Sequence, residues 1–434
     1  MPRWPACPRL AESKGVRPGR WRRAPVLFFG AVLLLPLLVM GERQAGRAAC
    51  HTIADLAPKG AYGVADKSGQ IIDACNPDRS LVPASVLKIA TIAAAMAILG
   101  PDYRFRTELF VDEHDNLFIK GFGDPSLVSE EVAALAGQLQ RLGLRRVQTL
   151  YVDTSAFALE DLAPGQEGGD NPYDAPVGPL SVNFNAAALI KDGSGQVASG
   201  ESQTPDLPIM GELGRNRPIG SWRVNICGRG CTDGQGRVVR YAGELFQAML
   251  AQSGIPVAAL GGIRPVPAAA RLILAHGSSQ TLTEISRECL YYSSNFMANL
   301  IFLACGTTRF GYPATWEKAR QAVSQELVRQ LGKAPAIALV DGAGLSRDNR
   351  VTVRAMLQLL THFRPHLDLL NKEGEVAVKT GTLAGVYNLA GYLPDGQSFV
   401  ILLNQPTNRR AEILARLIRL YAASPAGSKE KNTR

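Results

Sequence analysis

Three short motifs in this chain carry residue types that together can perform acyl transfer through a serine nucleophile. In chain order they are Ser85-Val-Leu-Lys88, Ser293-Ser-Asn295 and Lys379-Thr-Gly381. A serine hydroxyl is a weak nucleophile, and an amine one helical turn away can activate it by accepting its proton. A second serine beside an amide can relay protons and hold a substrate amide. A lysine and a threonine hydroxyl on a strand can bind a substrate carboxylate.

The first motif is predicted to open a helix. Pro83 precedes an apolar run to about Leu99, and proline is favoured in the first helical turn. Ser85 and Lys88 then lie on the same face of the helix. The positive end of the helix dipole also favours an anion that develops there. This location therefore combines a nucleophile, a base and a stabilising field.

The other two motifs fall on different predicted elements. Ser-Ser-Asn lies inside a helical pattern over Thr281–Cys305, and Lys-Thr-Gly ends the strand pattern Glu375–Val378. A further amphipathic helix is predicted over Tyr312–Leu331, with Pro313 in its first turn.

Strand patterns at the two ends of the chain predict one sheet. Tyr62–Ala65 and Ile71–Ala74 form a hairpin pattern, and Val386–Leu393 and Ser398–Leu403 form another around a Pro-Asp-Gly turn. With the strand of the third motif they give a five-stranded antiparallel sheet with flanking helices, an α+β fold. The nucleophile helix follows the first hairpin.

Three longer strings make a family resemblance specific. They are Lys120-Gly-Phe-Gly-Asp-Pro-Ser-Leu127, Asp341-Gly-Ala-Gly-Leu-Ser-Arg347 and Lys379-Thr-Gly-Thr-Leu-Ala-Gly-Val-Tyr-Asn-Leu-Ala-Gly-Tyr392. These strings resemble the D-alanyl-D-alanine carboxypeptidase/endopeptidase family, the S13 serine peptidases or low-molecular-mass class C penicillin-binding proteins. The resemblance extends from about residue 55 to 420. It implies a β-lactamase/DD-peptidase-like fold.

The resemblance also implies a role for each motif residue. Ser85 would be the acylated nucleophile, Lys88 its base and Ser293 the second catalytic residue, although which lysine acts as the base is left open. A buried Lys88 beside Lys379 would tend to lose its proton. Backbone N–H groups of Ser85 and Thr382 would form an oxyanion hole. The substrate-binding residues would be Asn295, Lys379, Thr380, Gly381 and Thr382.

The implied substrates are peptidoglycan stem peptides that end in D-Ala, hydrolysed through an acyl-enzyme. β-Lactams would be covalent inhibitors. We expect no cofactor and no metal, because the five histidines are scattered. Only His362 and His366 have helical i, i+4 spacing, and the second position between them is not a glutamate.

The distance in sequence between Ser85 and Ser293 exceeds what a compact penicillin-recognising domain needs, and the family resemblance implies an inserted domain. Two positions depart from the family pattern: Ser294 stands where aspartate is common, and Ala343 replaces a serine. The predicted peptidase domain is residues 50–103 and 273–422, the inserted mixed α/β domain is 104–272 with a nested part near 182–229, and 423–434 is a polar tail.

Two other functions remain open. A β-lactamase needs a carboxylate that activates water, but no Glu-x-x-Leu-Asn string occurs between Asn295 and Lys379, and Tyr292 is one residue too early for a Tyr-x-Asn motif. A non-catalytic penicillin-binding wall protein is disfavoured because every catalytic position is filled.

The charge of +9 does not indicate nucleic-acid binding. Residues 1–49 hold nine basic and two acidic residues, so the rest of the chain carries only +2. Residues 1–48 instead predict an export signal, with an apolar run over 24–40 and cleavage after Ala48, or an N-terminal membrane anchor. We therefore expect an exported, periplasmic or extracytoplasmic protein.

Cys227 and Cys231 predict a small disulfide loop or two free thiols.

Overall fold

The strands at the two ends of the chain pair in one antiparallel sheet, as the sequence predicts. This computed structural model describes residues 53, 55–160, 162–228, 230–332 and 336–421. In chain order the strands of this sheet are β1 (Gly60–Ala65), β2 (Ile71–Cys75), β13 (Asn371–Glu373), β14 (Val376–Leu383), β15 (Val386–Tyr392) and β16 (Ser398–Leu403). Their spatial order is β13-β14-β15-β16-β1-β2. The five predicted strands are confirmed, and β13 adds a short strand at one edge.

Side chains that alternate along these strands belong to two different apolar cores, because successive residues of a strand point to opposite faces. Val400 and Leu402 belong to the larger core, and Phe399 and Ile401 belong to a second core with the C-terminal helix. Every residue of β16 is buried. A strand covered on both faces reads as a continuous apolar run, which is what this segment shows.

Helices cover both faces of the sheet. In chain order the helices are α1 (Lys88–Ile98), α2 (Ser129–Arg141), α3 (Pro208–Gly214), α4 (Gly234–Gln252), α5 (Leu282–Tyr291), α6 (Asn295–Phe310), α7 (Trp316–Leu331), α8 (Val353–Phe363) and α9 (Arg410–Tyr421). Short 3-10 helices cover Ala84–Leu87, Pro172–Asp174, Asn183–Asn185 and Arg364–Leu369. Helix α1 is buried over nearly all of its length and contacts α6, α7 and α8.

The middle of the chain holds two further sheets. Their strands are β3 (Arg106–Val111), β4 (Leu117–Gly121), β5 (Val147–Asp153), β6 (Ala186–Lys191), β7 (Val197–Ser199), β8 (Gly220–Asn225), β9 (Val257–Ile263) and β10 (Arg271–Gly277). A five-stranded mixed sheet has the order β10-β3-β4-β5-β9, and a three-stranded sheet has the order β7-β6-β8. Helices α2 and α4 share a separate apolar core with these strands. A two-stranded ladder pairs β11 (Ile337–Ala338) with β12 (Arg350–Val351).

These layers give the mixed α/β character predicted for the inserted segment. All of the described residues belong to one compact unit, so the domain boundaries stay a prediction. Strand β10 runs across the predicted boundary at residue 272 and pairs with β3. The disulfide between Cys227 and Cys231 is present.

Three predicted elements differ from the structure. The helix predicted over Thr281–Cys305 is two helices, α5 and α6, and the Ser-Ser-Asn motif lies at the break between them. Helix α7 begins after its N-cap residue Thr315, so Pro313 precedes the helix instead of lying in its first turn. The Lys-Thr-Gly motif does not end its strand, because β14 continues to Leu383.

The predicted signal or anchor at residues 1–48 and the polar tail at 423–434 lie outside the described residues. Within the described part of the chain, none of the helices has the length and apolar character required to cross a membrane.

Packing of α8 on the sheet provides a test of the fold. Leu357 is fully buried, and a methyl group at Gly63 of β1 would come within 3.0 Å of its Cδ1 atom. We expect Leu357→Ala to lower the free energy of unfolding by about 2–5 kcal/mol, because it removes apolar contacts and leaves a cavity. Chemical denaturation measures this change. The matched control Gln358→Ala alters an exposed neighbour in the same helix and should have little effect. Equal effects of both substitutions would contradict the packing described here.

Candidate active site

The first motif lies where the sheet meets the central helix. Ser85 is in the 3-10 helix Ala84–Leu87, and Lys88 is the first residue of α1. The segment before Ser85 is held by Asn388 of β15, whose Nδ2 atom donates hydrogen bonds to Pro83 O at 2.7 Å and Val82 O at 2.9 Å. Asn388 is fully buried. Asn404, which follows β16, also holds this segment, because its Oδ1 atom accepts a hydrogen bond from Val82 N at 2.8 Å. The sheet therefore fixes the segment before Ser85 through two amide side chains.

Lys88 is bound entirely by neutral oxygen atoms. Its Nζ atom lies 2.9 Å from Ser85 Oγ, 2.8 Å from Asn295 Oδ1 and 2.8 Å from Ala343 O. The side chain is fully buried. Burial disfavours the charged amine and lowers the pKa of Lys88 to about 7, and the nearby Lys379 cation acts in the same direction. At neutral pH a large fraction of Lys88 is therefore free to accept a proton.

The second motif forms the tight connection between α5 and α6. Ser293 has a φ of 55°, in the left-handed region that few residues other than glycine adopt. Ser294 N donates to Cys289 O at 3.0 Å, and Ser294 Oγ accepts a hydrogen bond from Met297 N at 3.2 Å as the N-cap of α6. Serine and aspartate are both good N-caps. The family departure at this position therefore keeps the helix cap.

The third motif brings a second lysine to the second serine. Lys379 Nζ donates to Ser293 Oγ at 2.9 Å and to Thr380 O at 3.0 Å. Only 2% of Lys379 is exposed. Burial lowers the pKa of Lys379 to about 8. Each serine hydroxyl is thus hydrogen-bonded to one amine.

Gly381 allows β14 to approach the Ser85 segment closely. A Cβ atom at this residue would lie 2.8 Å from Pro83 O, 3.0 Å from Val86 N and 3.2 Å from Ser85 N. The next residue, Thr382, is exposed and lines the cleft. Any other residue type at Gly381 would push the strand away from the nucleophile segment.

The loop after β11 supplies the third partner of Lys88. The buried carboxylate of Asp341 accepts hydrogen bonds from the backbone N–H groups of residues 343, 344, 345 and 346 and from Asn349 Nδ2. This arrangement fixes the loop so that the carbonyl of Ala343 points at Lys88. Because the contact uses the backbone, the serine-to-alanine departure at Ala343 does not remove it.

The motifs border one open cleft of about 1190 Å³. Ser85, Ser293, Asn295 and Thr382 line it, together with two loops, 165–174 and 344–348. Of the other residues that the sequence predicts for the site, Lys88 and Lys379 are hydrogen-bonded to the two lining serines, Gly381 lies against the Ser85 segment, and Thr380 lies between Lys379 and Gly381 in β14. Within the described ranges, no group of three or more His, Cys, Asp or Glu residues is arranged to hold a metal ion.

Sequence reasoning missed three residues that position the site. Asn388 anchors the nucleophile segment, Cys289 Sγ donates to Ser294 O at 3.6 Å, and Arg410 Nη1 donates to Thr382 Oγ1 at 2.8 Å. The sequence did offer one signal for Asn388: it is a polar residue inside an apolar strand pattern, within the family string that begins at Lys379. Cys289 and Arg410 carry no comparable signal in the sequence.

The sequence model of the D-Ala-D-Ala carboxypeptidase 3 (S13) family matches residues 56–211 and 236–371, more than half of the chain. The chain belongs to this family. The D-alanyl-D-alanine carboxypeptidase of Actinomadura sp. is 27% identical over 406 residues, which cover 78% of this chain and 75% of that protein. The D-alanyl-D-alanine carboxypeptidase DacB of Haemophilus influenzae is 24% identical over 397 residues, covering 77% of this chain and 83% of that protein.

The fold is that of a known penicillin-binding protein. Penicillin binding protein 4 of Haemophilus influenzae superposes with a TM-score of 0.68 at 22% identity, over 86% of this chain and 98% of that one. A structure of the same protein in complex with a β-lactam superposes with a TM-score of 0.63, at 22% identity and over the same shares of the two chains. The predicted S13 family and DD-peptidase-like fold are confirmed.

The close approach at Gly381 can be tested directly. We expect Gly381→Ala to slow acylation by a fluorescent penicillin at least about tenfold, equivalent to roughly 1.4 kcal/mol, because the added methyl group displaces the segment that carries Ser85. The matched control Gly211→Ala adds a methyl group in α3, where nothing lies within 4 Å. It should acylate at the wild-type rate. Unchanged acylation of Gly381→Ala would show that the strand and the nucleophile are not in contact.

Proposed function

We propose that this protein is a serine-type D-alanyl-D-alanine carboxypeptidase that works through an acyl-enzyme on Ser85. One observation carries the proposal: Ser85 Oγ lies 2.9 Å from a fully buried amine whose pKa is lowered to about 7. A nucleophile paired with a base that is half-deprotonated at neutral pH is what acyl transfer requires. Membership of the S13 family supports the same reaction.

Acylation begins with proton transfer from the Ser85 hydroxyl to the neutral Lys88 amine. Ser85 Oγ attacks the carbonyl carbon of the penultimate D-Ala, and the backbone N–H groups of Ser85 and Thr382 would hold the developing oxyanion. The peptide C–N bond then breaks. The leaving amine takes a proton from the Ser293 hydroxyl. Lys379, whose Nζ atom lies 2.9 Å from Ser293 Oγ, can donate a new proton to that oxygen. Water finally hydrolyses the Ser85 ester: its hydroxyl group joins the acyl carbon, its remaining proton restores the charge of Lys379, and Lys88 returns the first proton to Ser85 Oγ as the ester bond breaks.

Substrate binding uses the same set of residues. The carboxylate of a terminal D-Ala needs a cation, and we assign Lys379 and the Thr380 hydroxyl to bind it. Asn295 would hold the amide of the acyl part, with Gly381 and Thr382 at the strand edge aligning the peptide backbone. D-Ala cross-links between stem peptides fit the same chemistry, so we propose DD-endopeptidase activity as well.

β-Lactams are expected to acylate Ser85 and to leave slowly. Among the described residues, Lys88 is the one side chain hydrogen-bonded to Ser85 Oγ, and no carboxylate takes that place to activate water. This arrangement favours a stable adduct over β-lactamase turnover. Because the substrate is cell-wall peptide, we propose that the chain acts outside the cytoplasm after export through residues 1–48, as a released or membrane-anchored protein.

The nucleophile assignment is tested by mass spectrometry. A stable one-to-one penicillin adduct should appear on the tryptic peptide Ser80–Lys88, with fragment ions that place it on Ser85. Release of free D-Ala from a pentapeptide should accompany it, and Ser85→Ala should lose both activities. An adduct on Ser293, or labelling that survives Ser85→Ala, would overturn the assignment. Rapid turnover of penicillin would identify a β-lactamase, and absence of any adduct a non-catalytic protein.

The two lysines predict a bell-shaped pH dependence of D-Ala release. Below the pKa of about 7, Lys88 is protonated and cannot accept the Ser85 proton, so kcat/KM should rise about tenfold per pH unit up to that value. Above about 8, Lys379 loses the charge that binds the carboxylate, so kcat/KM should fall. A substrate amidated at its C-terminus has no carboxylate and should show a shallower alkaline limb, because only the proton replacement at Ser293 then depends on the Lys379 charge. A rate that decreases between pH 6 and pH 7 would contradict the role of Lys88 as the base.

A further inference from the structure

A second chamber adjoins the active-site cleft at the Ser-Ser-Asn turn. It has a volume of about 680 Å³. Ser293, Asn295 and Tyr173 line both spaces, whereas Ser85 and Thr382 line only the main cleft. The two spaces therefore meet at these shared residues, and the chamber borders Ser293 without bordering Ser85 or Thr382.

The walls of the chamber are mainly aromatic and apolar. Tyr173 and Tyr292 line it with 59% and 72% of their surface exposed, and the lining residues Phe184 and Phe296 pack edge to face against each other. The charges in its lining already have partners: its arginine is ion-paired with a glutamate, and its glutamate accepts a hydrogen bond from a glutamine side chain. Such walls suit the aliphatic and peptide groups of an organic ligand better than a free ion.

The position of the chamber identifies which part of a substrate would enter it. In the proposed mechanism Ser293 protonates the leaving amine, so the atoms bonded to that amine must lie beyond Ser293. A leaving D-Ala is small, and its carboxylate is held at Lys379. The chamber falls within the size range of pockets that bind much larger ligands. It therefore fits a leaving group that continues past its carboxylate-bearing carbon into further peptide.

We propose that the Tyr173–Tyr292 chamber is the leaving-group subsite for the second peptide of a D-Ala cross-link. This inference rests on the proposed acyl-enzyme function at Ser85. The bond that forms is the ester between Ser85 Oγ and the D-Ala carbonyl carbon, and the bond that breaks joins that carbon to the side-chain amine of the second stem peptide. That amine leaves with a proton from Ser293. Water then releases the first peptide as a free carboxylic acid.

Two neighbouring tyrosines provide a matched pair for the test. Tyr292 lines the chamber, whereas Tyr291 is similarly exposed at 61%, is not among the lining residues, and packs edge to face against the Tyr292 ring. The measurement is kcat/KM for a cross-linked peptide dimer without sugars, divided by kcat/KM for D-Ala release from an uncross-linked pentapeptide. Loss of an aromatic contact in a binding site typically costs about tenfold or more in affinity. We expect Tyr292→Ala to lower the ratio by about tenfold, Tyr292→Phe to restore most of it, and Tyr291→Ala to leave it within about twofold.

The possible outcomes distinguish a failure of the subsite from a failure of the proposed function. The subsite is overturned if Tyr292→Ala changes both reactions by the same factor, if Tyr291→Ala lowers the ratio as much, or if the wild type releases D-Ala but does not cut the dimer. A decrease seen only with dimers that still carry their disaccharides would overturn it in favour of a sugar site. If the wild type neither forms a penicillin adduct nor releases D-Ala, the proposed function itself fails, and with it the chemistry on which the subsite depends.

Discussion

The burial of one amine without a carboxylate partner is the constraint on which the active site depends. An ammonium group taken out of water is costly unless an opposite charge compensates it, and a lysine in that position shifts toward its neutral form. Lys88 has a serine hydroxyl, an asparagine side-chain oxygen and a backbone carbonyl as its neighbours. The nearest carboxylate of the supporting loop, Asp341, is occupied by backbone N–H groups. In the proposed mechanism, this burial keeps a base beside the nucleophile at neutral pH.

Each of these partners comes from a different part of the fold, so the site exists only when the whole peptidase core is assembled. Asn295 begins α6, Ala343 lies in the loop after β11, and Asn388 on β15 holds the segment before Ser85. The same dependence explains why glycine occupies position 381, where strand and nucleophile segment come together. The second lysine, Lys379, is buried in the same way, and its amine is hydrogen-bonded to a serine instead of being paired with a carboxylate.

The break between α5 and α6 divides the site into two spaces. Ser293 has a left-handed backbone conformation, and its hydroxyl is hydrogen-bonded to Lys379. The turn that contains Ser293 borders both the main cleft and the Tyr173–Tyr292 chamber. Backbone strain of this kind persists where surrounding contacts determine it, and here a helix cap and a hydrogen bond to Cys289 do so. In the proposed mechanism, Ser293 therefore both transfers the proton to the leaving amine and borders the space that this group would enter.

The sequence by itself determined the family, the α+β fold, and the main helices and strands of the core, and it located the motif residues proposed for the site, because these follow from short patterns with local physical causes. The tertiary structure alone decided how those motifs meet. The apolar character of Thr281–Cys305 predicts one continuous helix, and only packing against Cys289 and Lys379 explains the turn at Ser293. The roles of Asn388 and Arg410 likewise depend on contacts between residues far apart in the chain. Burial of Lys88 and Lys379, and hence their lowered pKa values, is a property of the assembled core that no local pattern contains.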